Sequence, residues 1–270
     1  MPSPIRLDRA LIGVSGPEAR PFLQNLLTQD LHRLDAEPCV YAALLTPQGK
    51  VSADMIVWAR EDGALIECAA SRGADLLRKL TMYRLRAQVE VTDLSGAFGV
   101  DFFLGDAPPN AAPDPRLSAL GRRAIVARGD GAPNEDALLS RRIALGVPDL
   151  AIDAGMDEVF ALEALLEELN GVAFQKGCFV GQENVSRMKR RATTRKKFCP
   201  ITFDGPAPAY GAAVRAGEAE LGSVRSGVDG RAIAFLRLDR ALEAKEPFMC
   251  DGRVVMLDPP DWLLLPSGEP

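Results

Sequence analysis

The stretch YAALLTPQGKVSADMIVWAREDGALIECAA, residues 41–70, constrains the fold of this chain more than any other. Three apolar runs are interrupted by Pro47-Gln48-Gly49 and by Glu61-Asp62-Gly63, both sets of turn formers, so the segment predicts a three-stranded antiparallel meander. In an extended Val51–Ala59, period-two alternation puts Asp54 on the face of Ile56 and Trp58. Val51, Ala53, Met55 and Val57 take the other face. A carboxylate therefore shares a face with an indole.

Helical patterns flank the meander. In SGPEARPFLQNLLTQDL, Ala19, Phe22, Leu23, Leu26 and Leu27 recur at helical spacing behind a Ser15…Glu18 capping-box pattern, with Pro21 disturbing the first turn. SRGADLLRKLTMYRLR puts Leu76, Leu77 and Leu80 on one helical face, and RAQVEVTDLSG alternates as a strand. The fold class expected is α+β. Four prolines within eight positions of GDAPPNAAPDPRLSALG predict an irregular surface connection near 105–118. DEVFALEALLEELNG predicts a helix with Leu162, Leu165, Leu166 and Leu169 on one stripe and Asn170-Gly171 closing it. Beyond KGCFVGQE the chain turns glycine-punctuated and β-like, from PITFDG to DGRVVMLDPP. A boundary near 192–198 would divide it into residues 1–195 and a small β-rich domain, 196–270.

With 270 residues, 47% of them apolar, the chain can bury a continuous core. No apolar run reaches the roughly 18–20 residues of a membrane span, and MPSPIRLDRALIGVSGPEA lacks a signal peptide's long apolar stretch. The expectation is a cytoplasmic protein, monomeric and without membrane contact. Five cysteines, Cys39, Cys68, Cys178, Cys199 and Cys250, are odd in number and contain no CxxC pair. Reduced thiols follow, rather than a disulfide framework or a stably bound metal. The single histidine, His32, fits an exposed position beside Arg33.

KGCFVGQE, Lys176 to Glu183, brackets a thiol with Gly177 and Gly181. A nearby cation lowers a thiol pKa that starts near about 8.5, and Lys176 is the candidate. The glycines allow positive φ or close backbone approach, and a helix opening at QENVSRMK would favour an anion nearby. The alternative is a helix-to-strand turn with Cys178 as a small core residue.

KGCFVGQE followed by VSR and a basic segment resembles the signature of the YgfZ-type folate-binding proteins of iron–sulfur cluster maturation, relatives of the glycine-cleavage T-protein (aminomethyltransferase). GPEARPFLQNLLTQDL, LLTPQGKVSADMIV, MYRLRAQVEVTD, SRRIALGVP and ELGSVRS stand in the same order, so the resemblance spans roughly residues 15–236. It implies a T-protein-like folate-binding fold with a small C-terminal β-barrel, and a tetrahydrofolate site for which Asp54, Trp58, Tyr83 and Arg84 are the candidates; the alternatives are a strand-capping role for Asp54 and core positions for Trp58 and Tyr83. It also implies a functional thiol at Cys178, in the loop formed with Lys176, Gly177, Phe179, Gly181, Gln182 and Glu183. T-proteins that transfer a one-carbon unit carry two adjacent aspartates where this chain reads Ala53-Asp54, and a glutamate in the stretch where it has Ala144. The implied role is a folate-dependent accessory factor working with iron–sulfur assembly or client proteins. A folate-dependent aminomethyl- or methyltransferase and a non-catalytic partner in RNA modification are the alternatives.

RMKRRATTRKK, residues 187–197, carries seven basic residues in a chain of net charge −5. Arg187, Lys189, Arg190 and Arg191 could meet a polyanion such as the γ-linked glutamate tail of folate, or form a solvated arm. The overall acidity and the lack of RNA-binding motifs disfavour nucleic acid.

Overall fold

All strand pairs among the described residues are antiparallel, and they form three sheets. The computed structural model describes residues 4–129, 131–191 and 194–266; Ala192 and Thr193, inside the expected boundary, lie outside them. Strands β1 (Ile5–Leu7) and β2 (Arg9–Ser15) precede helix α1 (Ala19–Leu26). The meander follows as β3 (Cys39–Leu45), β4 (Val51–Arg60) and β5 (Gly63–Ala69), then α2 (Ala70–Tyr83), β6 (Glu90–Asp93) and β7 (Phe98–Phe103). Next are β8 (Ala112–Pro113), β9 (Arg122–Ala127), α3 (Asp136–Leu145), α4 (Leu150–Asp153) and α5 (Gln182–Arg191). The last elements are β10 (Lys196–Phe203), β11 (Ala213–Ala216), β12 (Ala219–Val228), β13 (Arg231–Arg237), α6 (Leu238–Glu243), β14 (Phe248–Cys250) and β15 (Arg253–Leu257).

The meander sits in a five-stranded sheet of order β3-β4-β5-β2-β6. A second sheet runs β1-β7-β9-β8, and β10-β13-β12-β11-β14-β15 close into a barrel. The expected α+β class with a C-terminal barrel is therefore observed. One face of the five-stranded sheet packs Ala53, Met55 and Val57 against Phe22 and Leu23 of α1 and Leu76 and Leu80 of α2. The other joins Tyr41, Ile56 and Trp58 to a core that continues into the barrel. Among the described residues no helix is long and apolar enough to cross a membrane.

Several sequence expectations change. Val51 lies with Ile56 and Trp58, because a register irregularity between Leu44 and Leu45 pairs Leu44 with Ala53 but Leu45 with Val51. An extra residue in one strand turns the following side chains to the opposite face. No capping box forms: Ser15 ends β2, and the Glu18 carboxylate accepts the Gln88 N–H at 2.6 Å. Pro21 is tolerated as the third residue of α1, where an N–H has no intrahelical partner.

The leucine-rich segment 158–171 is a succession of turns, not a helix. Leu165 and Asn170 adopt φ of 60° and 58°. The amides of Leu166 and Gly171 reach back five residues, to Ala161 and Leu166. Ala161, Leu162, Ala164, Leu165, Leu166 and Leu169 are all buried, so tertiary burial on every side outweighs the one-faced pattern.

The proline-rich segment is not a surface spacer either. It supplies β8, which pairs with β9, and it delivers Asp114 and Arg116 to the interior. Arg116 donates Nε and Nη2 to Asp114 at 3.0 and 2.9 Å. Arg123 on β9 donates to Asp114 and to Glu67 on β5, tying the two sheets together. Burial alone would raise the Asp114 pKa, but Arg116 and Arg123 hold it well below the usual carboxylate range.

Asp114→Asn should therefore cost about 3–5 kcal/mol in denaturant unfolding, the range for leaving buried charge uncompensated. The carboxylate's contribution should be complete above the unfolded value of about 3.9 and lost as pH falls toward its depressed native value.

Candidate functional site

The cysteine loop is built on three sequence-distant segments. Lys176 is buried, and its ammonium donates to the carbonyls of Gln24, Leu27 and Gln29 at 2.6, 2.6 and 2.9 Å. Three N–H donors meet three acceptors, which uses the ammonium's whole hydrogen-bonding capacity. Burial lowers its pKa to about 8, with Asp30 opposing. Lys176 is thus an anchor to the turn after α1 rather than a cation free to serve the thiol, and the expected role is corrected on that ground. The same turn is tied further: Thr28 Oγ1 donates to the Gly171 carbonyl at 2.6 Å, and Ala173 N–H to the Thr28 carbonyl at 3.0 Å.

On the other side of the thiol, Phe179 is buried beneath the Lys176 ammonium, 5.5 Å from ring centre to Nζ. Gly181 has φ of 80°, and a Cβ there would lie 2.6 Å from the Thr46 carbonyl oxygen in the β3–β4 turn. Only glycine meets both demands. Asn184 Nδ2 donates to the Gln48 carbonyl of the same turn at 2.9 Å. Gly177, by contrast, has no positive φ and open space about its Cα, so the structure imposes no need for glycine there. Gln182 and Glu183 open α5, with Glu183 exposed in its first turn.

Cys178 is held between these anchors and is exposed, while Cys39, Cys68, Cys199 and Cys250 are buried. The core-residue alternative for Cys178 does not stand. Burial pushes the Cys39, Cys68 and Cys199 thiols up to about 12.

The expected folate residues do not converge. Asp54 accepts the Tyr41 hydroxyl at 3.0 Å. Burial and the nearby Asp149 raise its pKa, with Arg116 and Arg9 opposing. Trp58 shares its face, but the indole N–H is committed to Glu67 at 3.0 Å. Tyr83 packs with the helices on the opposite side of the sheet. Arg84 is exposed at the end of α2, where it donates to the Val89 carbonyl at 3.4 Å. The sheet itself separates Tyr83 from Asp54, which a linear motif does not reveal. Ala144 is exposed on α3, and the second carboxylate felt by Asp54 is Asp149. Tyr41 and Asp149 were missed; a tyrosine directly across the ladder from a residue two positions from Asp54 was the available signal.

Two cavities flank Asp54, each about 10 Å³, the room of one water. In this conformation they do not fit a pterin.

Of the four expected anion-binding residues, Lys189 pairs with Glu167, Arg190 donates back to the Ser186 carbonyl, and Arg191 is exposed at the end of α5. Arg187 lines a cavity with Arg195 and Lys196, and Lys189 lines a separate one with Glu167 and Lys197. Lys197 is buried against Glu168. Among the described residues no group of three or more His, Cys, Asp or Glu side chains could hold a metal ion.

Residues 10–101 match the family described as the GCVT N-terminal domain, and residues 195–264 match the CAF17 C-terminal beta-barrel domain. The solved structure of glycine cleavage system aminomethyltransferase T from Bartonella henselae has a TM-score of 0.76 to this chain. It covers 96% of this chain and 85% of its own length at 16% identity, which defines the class of fold as T-protein-like. Within that class, the chain is 32% identical to the mitochondrial iron–sulfur cluster assembly factor IBA57 of Mus musculus, over 86% of this chain and 76% of that protein. It is 29% identical to the Homo sapiens protein of the same name over 95% and 84%, and 30% identical to the Neurospora crassa homologue over 74% and 54%. The chain belongs to the IBA57 family of the T-protein-like fold. It spans about half the length of the fungal relatives it matches. The cytoplasmic expectation is overturned by these relatives, whose names are mitochondrial and point to the mitochondrion rather than the cytoplasm.

Iodoacetamide should label Cys178 well before the four buried thiols, as read by peptide mass spectrometry. Lys176→Met should leave three carbonyls without their donor. Amide exchange in residues 177–181 should rise, and stability should fall by about 1–3 kcal/mol.

Proposed function

We propose that this chain assists the assembly or repair of iron–sulfur clusters in other proteins, with Cys178 as its contact to the cluster. The observation that carries the proposal is the presentation of this thiol: the single exposed cysteine among five, on a loop anchored by Lys176 before it and by Phe179 and Gly181 after it. Thiolates are the usual ligands of iron–sulfur clusters, which take about four of them. One exposed thiol supplies one ligand, so a cluster held here draws its remaining ligands from a carrier or client protein. The cluster is cargo, and the contacts that anchor the loop on both sides hold the sulfur at the surface, which lowers the ordering cost when a partner docks. The relatives' names, iron–sulfur cluster assembly factors, support the same role.

Tetrahydrofolate binding is a separate proposal and enters no step of this one. It rests on the half-buried Asp54 carboxylate in the segment that matches the GCVT N-terminal domain, and it requires the neighbouring cavities to widen. Calorimetric titration reads it: heat that disappears in Asp54→Ala supports binding at this face, and no heat at millimolar tetrahydrofolate removes the proposal. Aminomethyl transfer is not part of either reading, since Ala53 replaces the first aspartate of the pair that the resemblance associates with it.

Cys178→Ser should keep the wild-type unfolding midpoint, because the side chain is exposed, yet fail to restore iron–sulfur enzyme activity in a strain lacking the protein. Full restoration by the serine variant would refute the role given to the thiol.

A further inference from the structure

A cavity of about 320 Å³ lies between α5 and the start of the barrel, lined by Arg187, Arg195, Lys196 and Arg237. Among the described residues, Glu163 is the one acidic side chain of its lining. A Glu163 oxygen accepts the Phe160 N–H at 2.9 Å; burial raises the pKa of this carboxylate, with that N–H, Lys196 and Lys50 opposing, and it makes no ion pair within 4 Å among the described residues. Lys196 and Arg237 are direct partners in the β10–β13 ladder. Like charges placed opposite each other in a sheet are destabilising. Arg237 is partly compensated by a fork to Asp239, at 2.9 and 2.8 Å. Arg187, Arg195 and Lys196 form no ion pair among the described residues, although Lys189 and Lys197 of the same basic run do. Four cations thus face one space in a chain whose net charge is −5. The remaining lining includes Phe160 and Met188, an apolar floor.

We propose that this groove binds a small organic polyanion, through phosphate or carboxylate groups held by Arg187, Arg195 and Lys196, with the ligand's apolar body on Phe160 and Met188. The volume falls at the lower end of small-molecule sites, which run from about 300 to 1,000 Å³. Guanidinium groups pair with both phosphate and carboxylate in two-point fashion, and an anion here relieves the repulsion between Lys196 and Arg237. The inference does not depend on folate or on Cys178. It corrects the basic-run expectation by replacing Lys189, Arg190 and Arg191 with Arg195, Lys196 and Arg237.

The test titrates the full chain with inorganic tripolyphosphate and with tri-γ-glutamate at low ionic strength, followed by calorimetry. The comparison is an Arg195→Glu/Lys196→Glu double variant whose circular dichroism matches wild type. Binding of either probe that weakens as salt rises, and that falls by about a hundredfold or more in the double variant, supports the site. The tighter of the two probes identifies phosphate or carboxylate as the preferred chemistry. No binding of either probe, or equal binding by wild type and variant, overturns it. Tighter retention of a single-stranded oligoribonucleotide than of both small probes also overturns it, since the groove would then be part of a nucleic-acid surface.

Discussion

Arg123 is the residue on which the N-terminal architecture turns. Its guanidinium, almost wholly buried, reaches Glu67 on the meander and Asp114 on the connection before its own strand. A charge in that position is stable only when paired and hydrogen-bonded, so the two sheets must meet in the one register that brings both carboxylates to it. Glu67 also takes the Trp58 indole N–H, and Asp114 takes Arg116, whose guanidinium lies 5.9 Å from the Tyr41 ring centre. The face that carries Asp54 is consequently filled by paired side chains, and little space is left beside it.

A second buried pair joins this half of the chain to the barrel. Arg142 on α3 donates to Asp153 at 2.8 Å and to the Ser226 hydroxyl on β12 at 2.9 Å, while Asp153 accepts the Ser226 N–H at 2.9 Å. In sequence the cysteine loop lies between Asp153 and Ser226. Lys176 repeats the same physics with neutral partners, an ammonium whose desolvation is offset by three carbonyls. The anchoring of the loop that carries Cys178 is in that sense a by-product of satisfying one buried charge. α5 then carries the chain directly from the thiol loop to the cationic groove, so a ligand in the groove would touch the helix that begins four residues after Cys178.

Much of this could be read from residue order. The meander, both of its turns, α2 and the β-rich end follow from periodicity and turn formers, and KGCFVGQE reads as a glycine-bracketed loop. What misled was local pattern without its surroundings. Residues 158–171 have a helical leucine stripe, but Ala161 and Ala164 are buried as well, so no face remains for water and the backbone follows the cavity it fills. The prolines of 105–118 suggested an exposed connection, yet Asp114 and Arg116 are among the most buried charges of the chain. Tyr83 and Arg84 follow Asp54 in motif order, yet Tyr83 packs on the other side of the sheet and Arg84 is exposed at the end of α2.

Residue order alone sets the strand and helix periods, the turns at Pro47-Gln48-Gly49 and Glu61-Asp62-Gly63, and the thiol between two glycines. These depend on φ preferences and on apolar spacing over a few residues, which are local properties. The packed fold is what makes Lys176 an anchor, leaves Cys178 as the exposed thiol, gives Asp54 one water's room on each side, and brings Arg187 to Arg195, Lys196 and Arg237. Each of these depends on burial and on partners far along the chain, as with the 147 to 152 residues between Lys176 and its three carbonyls. Desolvation makes those partners obligatory, and no short window of sequence contains them.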